Sequence, residues 1–479
     1  MRLLILAVSV AVCVNGGLVE GRNGFVKENG TNEIIGSSML EFRKRLAAYE
    51  EKLLEELKLN GEQRKLAEKL KTLKRKTVEK SPGEDSIETI NMKSHVADML
   101  FQGDMVLTKE QQDQIFGDVA HTRGKRQAYS NKTYRWHEGV SYFFDDSAND
   151  DVRRIFKKAA KQWMDSTCVD FEEDECAEDG IGVFMGDGCW SYVGKRGGLQ
   201  NLSLGKGCGN VRIAAHEIGH ALGFFHTHLR HDRDDYITVV IENIKPNEIK
   251  QFQAKSKADN NNYGVPYDYG SVMHYGATSD AVDDEKLTLV PKDLNYTETL
   301  GSPFISFYDI YMMNLHYNCL ERCEGVNTRC RNGGYAHPRA CYKCVCPHGY
   351  GGKLCNRRPN GCGESLKASK VWTTLVDDLG DKDGPKWRED FVKCHYWITA
   401  PKGRKIQVKF VDFTKGADTD GCQLAGVEIK IQKDPRFTGY RFCSDKFANT
   451  TLTSTRNVVP IITYNRYSST ITKLEYRYI

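Results

Sequence analysis

Three textures of hydrophobic and polar residues follow one another along the 479-residue chain. Residues 38–80 are dense in Leu, Glu, Lys and Arg and poor in turn formers. Leu40, Phe42, Leu46, Leu53, Leu54 and Leu57 recur there at roughly helical spacing, which predicts a solvated helical hairpin or arm. From Gln127 the pattern is that of a mixed α/β unit. Residues 140–144, 169–171, 181–185 and 189–193 read as strands with Gly and Asp between them. Residues 151–166 read as an amphipathic helix with Val152, Ile155, Phe156, Ala159 and Trp163 on one face. A second helix is expected after Asn210, a good N-cap, and a third after Ser306, with Asp309 completing a capping box, ending at Cys319. Further on, Ile406-Gln407-Val408-Lys409-Phe410 and Val427-Glu428-Ile429-Lys430-Ile431 alternate with period two, which predicts an antiparallel β-sandwich.

Composition adds a compartment. Eleven of the sixteen Cys lie in the second half of the chain, a crowding that suits an oxidising environment. Cys323, Cys330, Cys341, Cys344, Cys346 and Cys355 fall in a stretch rich in Gly and Arg that cannot build a core and must be stapled. A zinc knuckle at Cys341 to Cys346 competes, but six cysteines in a secreted chain pair more readily than they bind metal. Met1-Arg2, the apolar Leu3 to Val14 and Gly16-Gly17 make residues 1–16 a signal peptide, too short for a membrane span. Net charge is +4 with mixed signs and no basic stripe, which excludes a nucleic-acid partner. The basic run Arg123-Gly124-Lys125-Arg126 suits a furin-like processing protease, making residues 17–126 a pro-segment. Sequons at Asn29, Asn131, Asn201, Asn295 and Asn449 are compatible with glycosylation.

The chemistry lies in His216-Glu217-Ile218-Gly219-His220-Ala221-Leu222-Gly223-Phe224-Phe225-His226. His216 and His220, at i and i+4, leave one helical face. Gly223 permits a left-handed exit, and His226 returns to complete three nitrogen ligands. Three His and an open position suit a catalytic zinc, with Glu217 placed beside the first ligand to hydrogen-bond a water.

This stretch, with Arg230 to Tyr236 after it, Gly188-Cys189-Trp190-Ser191-Tyr192-Val193-Gly194 before it and Ser271-Val272-Met273-His274-Tyr275 downstream, resembles the astacin family of zinc endopeptidases. The resemblance implies a metzincin α+β catalytic domain over residues 127–320 with one zinc on His216, His220 and His226. Glu217 would be general base and acid, and Tyr275 a displaceable fourth ligand that stabilises the tetrahedral intermediate. Met273 would floor the metal. Phe101-Gln102-Gly103-Asp104 resembles the inhibitory motif, with Asp104 on zinc in the zymogen only. The same resemblance implies Cys168–Cys319 and Cys189–Cys208. His228, His231 and His274 are expected at the surface or behind the ligands, and Asp232, Arg233 and Asp234 in a structural charge network.

Residues 321–356 resemble an EGF-like module with Cys323–Cys341, Cys330–Cys344 and Cys346–Cys355. Residues 362–479 resemble a CUB domain, carried by Cys394-His395-Tyr396-Trp397-Ile398-Thr399-Ala400-Pro401, with Cys362–Cys394 and Cys422–Cys443 and without the calcium-binding Asp. The order is that of many nematode astacins. The expected function is a secreted endopeptidase acting on extracellular proteins, of matrix or cuticle by analogy, activated at Arg126 by a furin-like or other protease, with protein contacts through the CUB domain. The alternative is a catalytically silent binding scaffold. Two positions depart from the family: Thr227 stands where many members carry the Glu that anchors the mature N-terminus, and Cys176 is left over, as a free thiol or an intermolecular bridge.

Overall fold

A computed structural model describes residues 36, 39–45, 61, 85–113, 132–254, 261–283, 286–384, 387–415 and 417–479. The expected signal peptide, the Arg123 to Arg126 processing site, Leu46 to Leu57 of the predicted arm, and the sequons at Asn29 and Asn131 lie outside these residues.

The metal-ligand helix rests on a six-stranded sheet built from β1 (Met105–Val106), β2 (Val140–Phe144), β3 (Phe171–Glu173), β4 (Gly180–Phe184), β5 (Cys189–Tyr192) and β6 (Leu199–Leu204), in the order β1-β5-β6-β4-β2-β3. Strands β3, β2, β4 and β6 are parallel, β5 runs against β6, and β1 pairs in parallel with the outer edge of β5. Alternation does not reveal β6, because Gln200, Asn201 and Ser203 are buried in it. Gln200 Nε2 donates to the Gly194 carbonyl and Ser203 Oγ to the Gly188 carbonyl, so two of these polar side chains are satisfied inside.

After α1 (Ile87–Lys93), α2 (Asp150–Met164) starts where Asn149 accepts from Val152 N at 2.9 Å. Val152, Ile155, Phe156, Ala159 and Trp163 are all buried, the larger ones each contributing roughly 1.5–3 kcal/mol. Trp163 Nε1 donates to the Ala215 carbonyl of α3 (Val211–Ala221), locking the two helices side by side. The capping box at α4 (Phe307–His316) is complete in both directions. This helix ends at His316 rather than Cys319, because Asn318 takes a left-handed φ of 56°. Between α3 and α4 the chain is mostly short 3₁₀ turns and loops, with the strand pair β7 (Ile237–Val239) and β8 (Leu289–Pro291).

A small unit follows, with the antiparallel pair β9 (Tyr335–His337) and β10 (Ala340–Val345). The last unit is a sandwich of nine strands: β11 (Ser365–Lys367), β12 (Thr373–Gly380), β13 (Trp387–Thr399), β14 (Ile406–Phe413), β15 (Ala425–Ile429), β16 (Tyr440–Phe442), β17 (Thr451–Thr453), β18 (Val458–Tyr467) and β19 (Ser469–Tyr478). One sheet is ordered β11-β13-β18-β15-β16 and the other β12-β19-β14-β17. All neighbours are antiparallel except β11 with β13. Ile398, Val408, Phe410, Val427, Phe442 and Leu474 fill the space between the sheets.

The seven disulfides implied by the family resemblance are all present. One expectation needs correction. In the full-length chain Cys176 is disulfide-bonded and is not a free thiol. Of the sequons, Asn201 is only 5% exposed inside β6, whereas Asn449 is exposed.

Candidate metal centre

Helix α3 begins where Asn210 accepts from Arg212 N at 3.0 Å, and it ends at Ala221, two residues before Gly223, whose φ of 104° turns the chain back toward the helix. That return brings His226 beside His216 and His220. The Nε2 atoms of His216 and His226 are 3.2 Å apart, and those of His216 and His220 3.1 Å apart. His216 Nδ1 donates to the Val272 carbonyl at 2.8 Å, and His220 Nδ1 to the Phe224 carbonyl at 2.7 Å. A carbonyl only accepts, so both protons sit on Nδ1 and both Nε2 lone pairs face inward. His226 Nδ1 is buried without a hydrogen-bond partner among the described residues.

Asp104 closes the cluster. Its Oδ2 lies 3.1 Å from His216 Nε2 and 3.0 Å from His226 Nε2, and its Oδ1 lies 3.4 Å from His220 Nε2. All four residues are buried and offer ligand atoms within 4.8 Å of one another. Converging lone pairs and a carboxylate repel in a dry pocket unless a cation lies among them. Three imidazole nitrogens and one carboxylate oxygen fit zinc, for which these are ordinary four-coordinate donors.

Asp104 is presented on a tight hairpin closed by the bridge between Phe101 and Met105. Gln102 and Gly103 take φ values of 51° and 83°. The three successive carbonyls there have three separate donors: Tyr275 OH reaches Gln102 O at 2.6 Å, Asn91 Nδ2 reaches Gly103 O at 2.7 Å, and Ser191 N reaches Asp104 O at 3.0 Å. Asn91, from α1, also exchanges hydrogen bonds with the Cys189 backbone at 2.7 Å in each direction. The hairpin continues into β1, so residues 101–106 occupy the edge of β5 as well as the ligand position.

Glu217 is fully buried next to the first ligand, and both carboxylate oxygens lack a partner among the described residues. Burial first, and then the charge of Asp104, push its pKa well above the usual carboxylate range, with Arg212 opposing. The Tyr275 hydroxyl is raised well above its ordinary value, by burial and then by Asp104. In this form it serves the Gln102 carbonyl. Its ring stacks on His228 at 4.0 Å and lies 4.7 Å from His226. Met273 is buried against Gly219 of α3.

His228 and His274 are not at the surface. Both are buried, with pKa values lowered by desolvation, His274 to about 4. His274 pairs with Tyr267 OH at 2.6 Å. Arg230 and Arg233 are buried and pair with Asp232 at 2.8 Å and Asp234 at 3.0 Å, the charge network expected. Thr227 is buried too, its Oγ1 donating to Ser271 Oγ at 2.8 Å, and Ser271 Oγ donating to Asp309 Oδ1 at 2.5 Å. No sequence signal points to this Thr227–Ser271–Asp309 chain, whose members are far apart in the chain.

The family model of Astacin, a peptidase family, matches residues 128–318. Zinc metalloproteinase nas-31 of Caenorhabditis elegans is 44% identical over 82% of this chain and 66% of its own length. Zinc metalloproteinase nas-25 of the same organism is 34% identical over 76% of this chain and 92% of its own length. The chain spans 66%, 62% and 58% of nas-31, nas-32 and nas-36 of that nematode. Among solved structures, high choriolytic enzyme 1, a hatching enzyme zinc-protease of Oryzias latipes, is 31% identical over 40% of this chain and 94% of its own, with a TM-score of 0.36. With an Astacin family match over the metal-ligand helix and a relative matched over nearly its full length, the chain belongs to the astacin family.

Proposed function

We propose that this chain is the zymogen of a secreted zinc endopeptidase that hydrolyses peptide bonds of extracellular proteins. The observation that carries the reading is the Asp104 carboxylate seated among three inward-facing imidazole nitrogens, on a strand that occupies the edge of β5. A pro-segment so placed blocks the ligand position and the substrate strand together. Residues 1–16 are its leader, residues 17–126 its pro-segment, and cleavage after Arg126 releases the hairpin. The six-cysteine unit is read as EGF-like and the sandwich as a CUB domain, supported by their disulfide pairs.

Once bound by His216, His220 and His226, zinc supplies Lewis acidity toward a peptide carbonyl and acidifies a water. The rest falls to side chains. Val272 and Phe224 carbonyls hold two of the imidazoles in the tautomer that binds metal. Glu217, with two unengaged oxygens, takes the proton of the attacking water and delivers it to the leaving amine. Tyr275 already donates to a peptide carbonyl, that of Gln102. With the hairpin gone, the same hydroxyl donates to the scissile carbonyl oxygen as charge builds on it. Backbone groups of β5 vacated by β1 then pair with substrate.

The test is cleavage after Arg126 followed by profiling on a peptide library, with and without a chelator, beside Glu217→Ala. Chelator-sensitive cleavage that is absent from Glu217→Ala is expected. A cleaved, zinc-loaded wild type that cuts no peptide would sink this reading in favour of a binding scaffold.

A further inference from the structure

Residues 268–278 supply the metal centre with three groups: the Val272 carbonyl that orients His216, the Met273 thioether beneath Gly219, and the Tyr275 hydroxyl. Both ends of this segment are held by the C-terminal sandwich. At the entry, Asp268 accepts from Thr438 N at 3.2 Å through Oδ1 and from Thr438 Oγ1 at 3.1 Å through Oδ2. At the exit, Asp420 Oδ1 accepts from Ala277 N at 3.1 Å, and its Oδ2 from Thr278 N at 2.9 Å and Thr278 Oγ1 at 3.0 Å. Asp268 and Thr438 are each 3% exposed, so the entry contact is made in a dry interface.

The two chain segments meet at glycines. A Cβ at Gly270 would lie 2.3 Å from Thr438 Cγ2, and one at Gly276 2.1 Å from Asp420 Oδ2. Gly301 and Gly421 meet in the same way, a Cβ at Gly421 falling 2.0 Å from the Gly301 carbonyl oxygen. The sandwich also reaches the start of the ligand helix, where Arg466 Nη1 donates to the capping Asn210 Oδ1 at 3.3 Å. A tethered module needs none of this. Carboxylate bonds at both ends of one catalytic segment, buried at Asp268 and half-buried at Asp420, with side chains excluded at the crossings, are the geometry of a clamp.

We propose that the sandwich is a working part of the catalytic centre, with Asp420 and Thr438 as positioning residues that fix the loop bearing Met273 and Tyr275. The Tyr275 side chain must leave the Gln102 carbonyl and meet substrate. With the backbone clamped on either side, that change is a rotation about side-chain bonds from a fixed origin. With the clamp loosened, the hydroxyl samples positions that miss the developing charge, which lowers turnover more than binding. The effect on turnover rests on the reading of Tyr275 given above, whereas the clamp itself does not.

The test uses the full chain, before and after cleavage at Arg126, with Asp420→Ala, Thr438→Val and a control, Asp390→Asn. Asp390 pairs with Lys158 at 2.6 Å elsewhere between the sandwich and the protease unit. Amide exchange read by mass spectrometry should rise roughly ten- to a hundredfold at residues 277 and 278 in Asp420→Ala. A smaller rise near residues 268–271 is expected in Thr438→Val, and none in the control. After activation, kcat of Asp420→Ala on a peptide should fall about tenfold with KM little changed. Unchanged exchange at 277 and 278 overturns the clamp, and so does a uniform rise across the protease and sandwich units. If Asp420→Ala does not fold, Asp420→Asn, which keeps one carbonyl acceptor, takes its place with the same readouts. A wild type without peptidase activity would overturn the proposed function while the exchange data still decide the clamp.

Discussion

Gly219 and Met273 are packed so closely that no methyl group fits between them: a Cβ at residue 219 would lie 2.5 Å from Met273 Sδ. In an ordinary helix interior, Gly→Ala stabilises by about 1 kcal/mol. Here the overpacking, which costs roughly 1–3 kcal/mol, should win, because the thioether is walled in under the ligand helix. Gly219→Ala is expected to lower the melting temperature of the full chain and to speed loss of zinc to a chelator. A raised melting temperature with unchanged zinc retention would show that Met273 can give way.

Tyr275→Phe removes one hydroxyl and leaves the ring stacked on His228. In the full chain the Gln102 carbonyl loses its 2.6 Å donor, a cost of roughly 1–3 kcal/mol if nothing replaces it. In the activated enzyme, loss of one donor to the developing oxyanion should lower kcat about 10²- to 10³-fold. Steady-state kinetics beside melting curves separate the two. Full activity in Tyr275→Phe would remove the hydroxyl from the mechanism.

The ligand helix is legible because its period places His216 and His220 on one face, and because Gly223 announces a turn that only a left-handed residue makes cheaply. The capping box at Ser306 is legible for the same local reason. Strand β6 is hidden because its buried Gln200 and Ser203 direct their polarity to loop carbonyls rather than to water. The contacts of Asp268 with Thr438 and of Asp420 with Thr278 join positions 170 and 142 residues apart, which no local pattern records. Burial of His228 and His274 also escapes local reading, since it depends on aromatic neighbours as remote as Phe252 and Tyr267.

The sandwich carries its own acid sensitivity at Glu428, which meets Arg441 Nε at 3.1 Å and Lys430 Nζ at 3.7 Å, all three buried. Burial alone would raise the carboxyl, but the two cations overcome it and hold it at about 2, below its ordinary 4.5. A depressed carboxylate contributes stability that is full above pH ~4.5 and drains away as pH falls toward ~2, on the order of 3 kcal/mol in all. Glu428→Gln should therefore flatten the fall of melting temperature between those pH values. It should also destabilise the neutral-pH protein by about 3–5 kcal/mol, through two cations left unpaired. An unchanged acid slope would assign the effect to other carboxylates.

Thr227→Glu restores the residue type that many family members place here, into a position already built for something else. The hydroxyl is engaged by Ser271, which in turn leads to Asp309, a carboxyl that burial raises to about 6. A second, longer carboxylate at this buried position would stand near the Asp309 carboxyl, so a loss of roughly 1–3 kcal/mol is expected in thermal unfolding. A gain in stability after cleavage at Arg126 would instead mean that the new N-terminus reaches the site and pairs there.

Gln102, Gly103 and Asp104 surrender three consecutive carbonyls to a phenol, an amide side chain and an edge strand. The hold on this hairpin is therefore written in backbone shape more than in side chains, and that shape needs two residues at positive φ. A linear peptide copying residues 101–105 must be bent on arrival and loses affinity to the entropy of that ordering. A macrocycle that holds the same hairpin arrives already bent. Its carboxylate then makes it a compact template for inhibitors whose recognition rests on ring geometry.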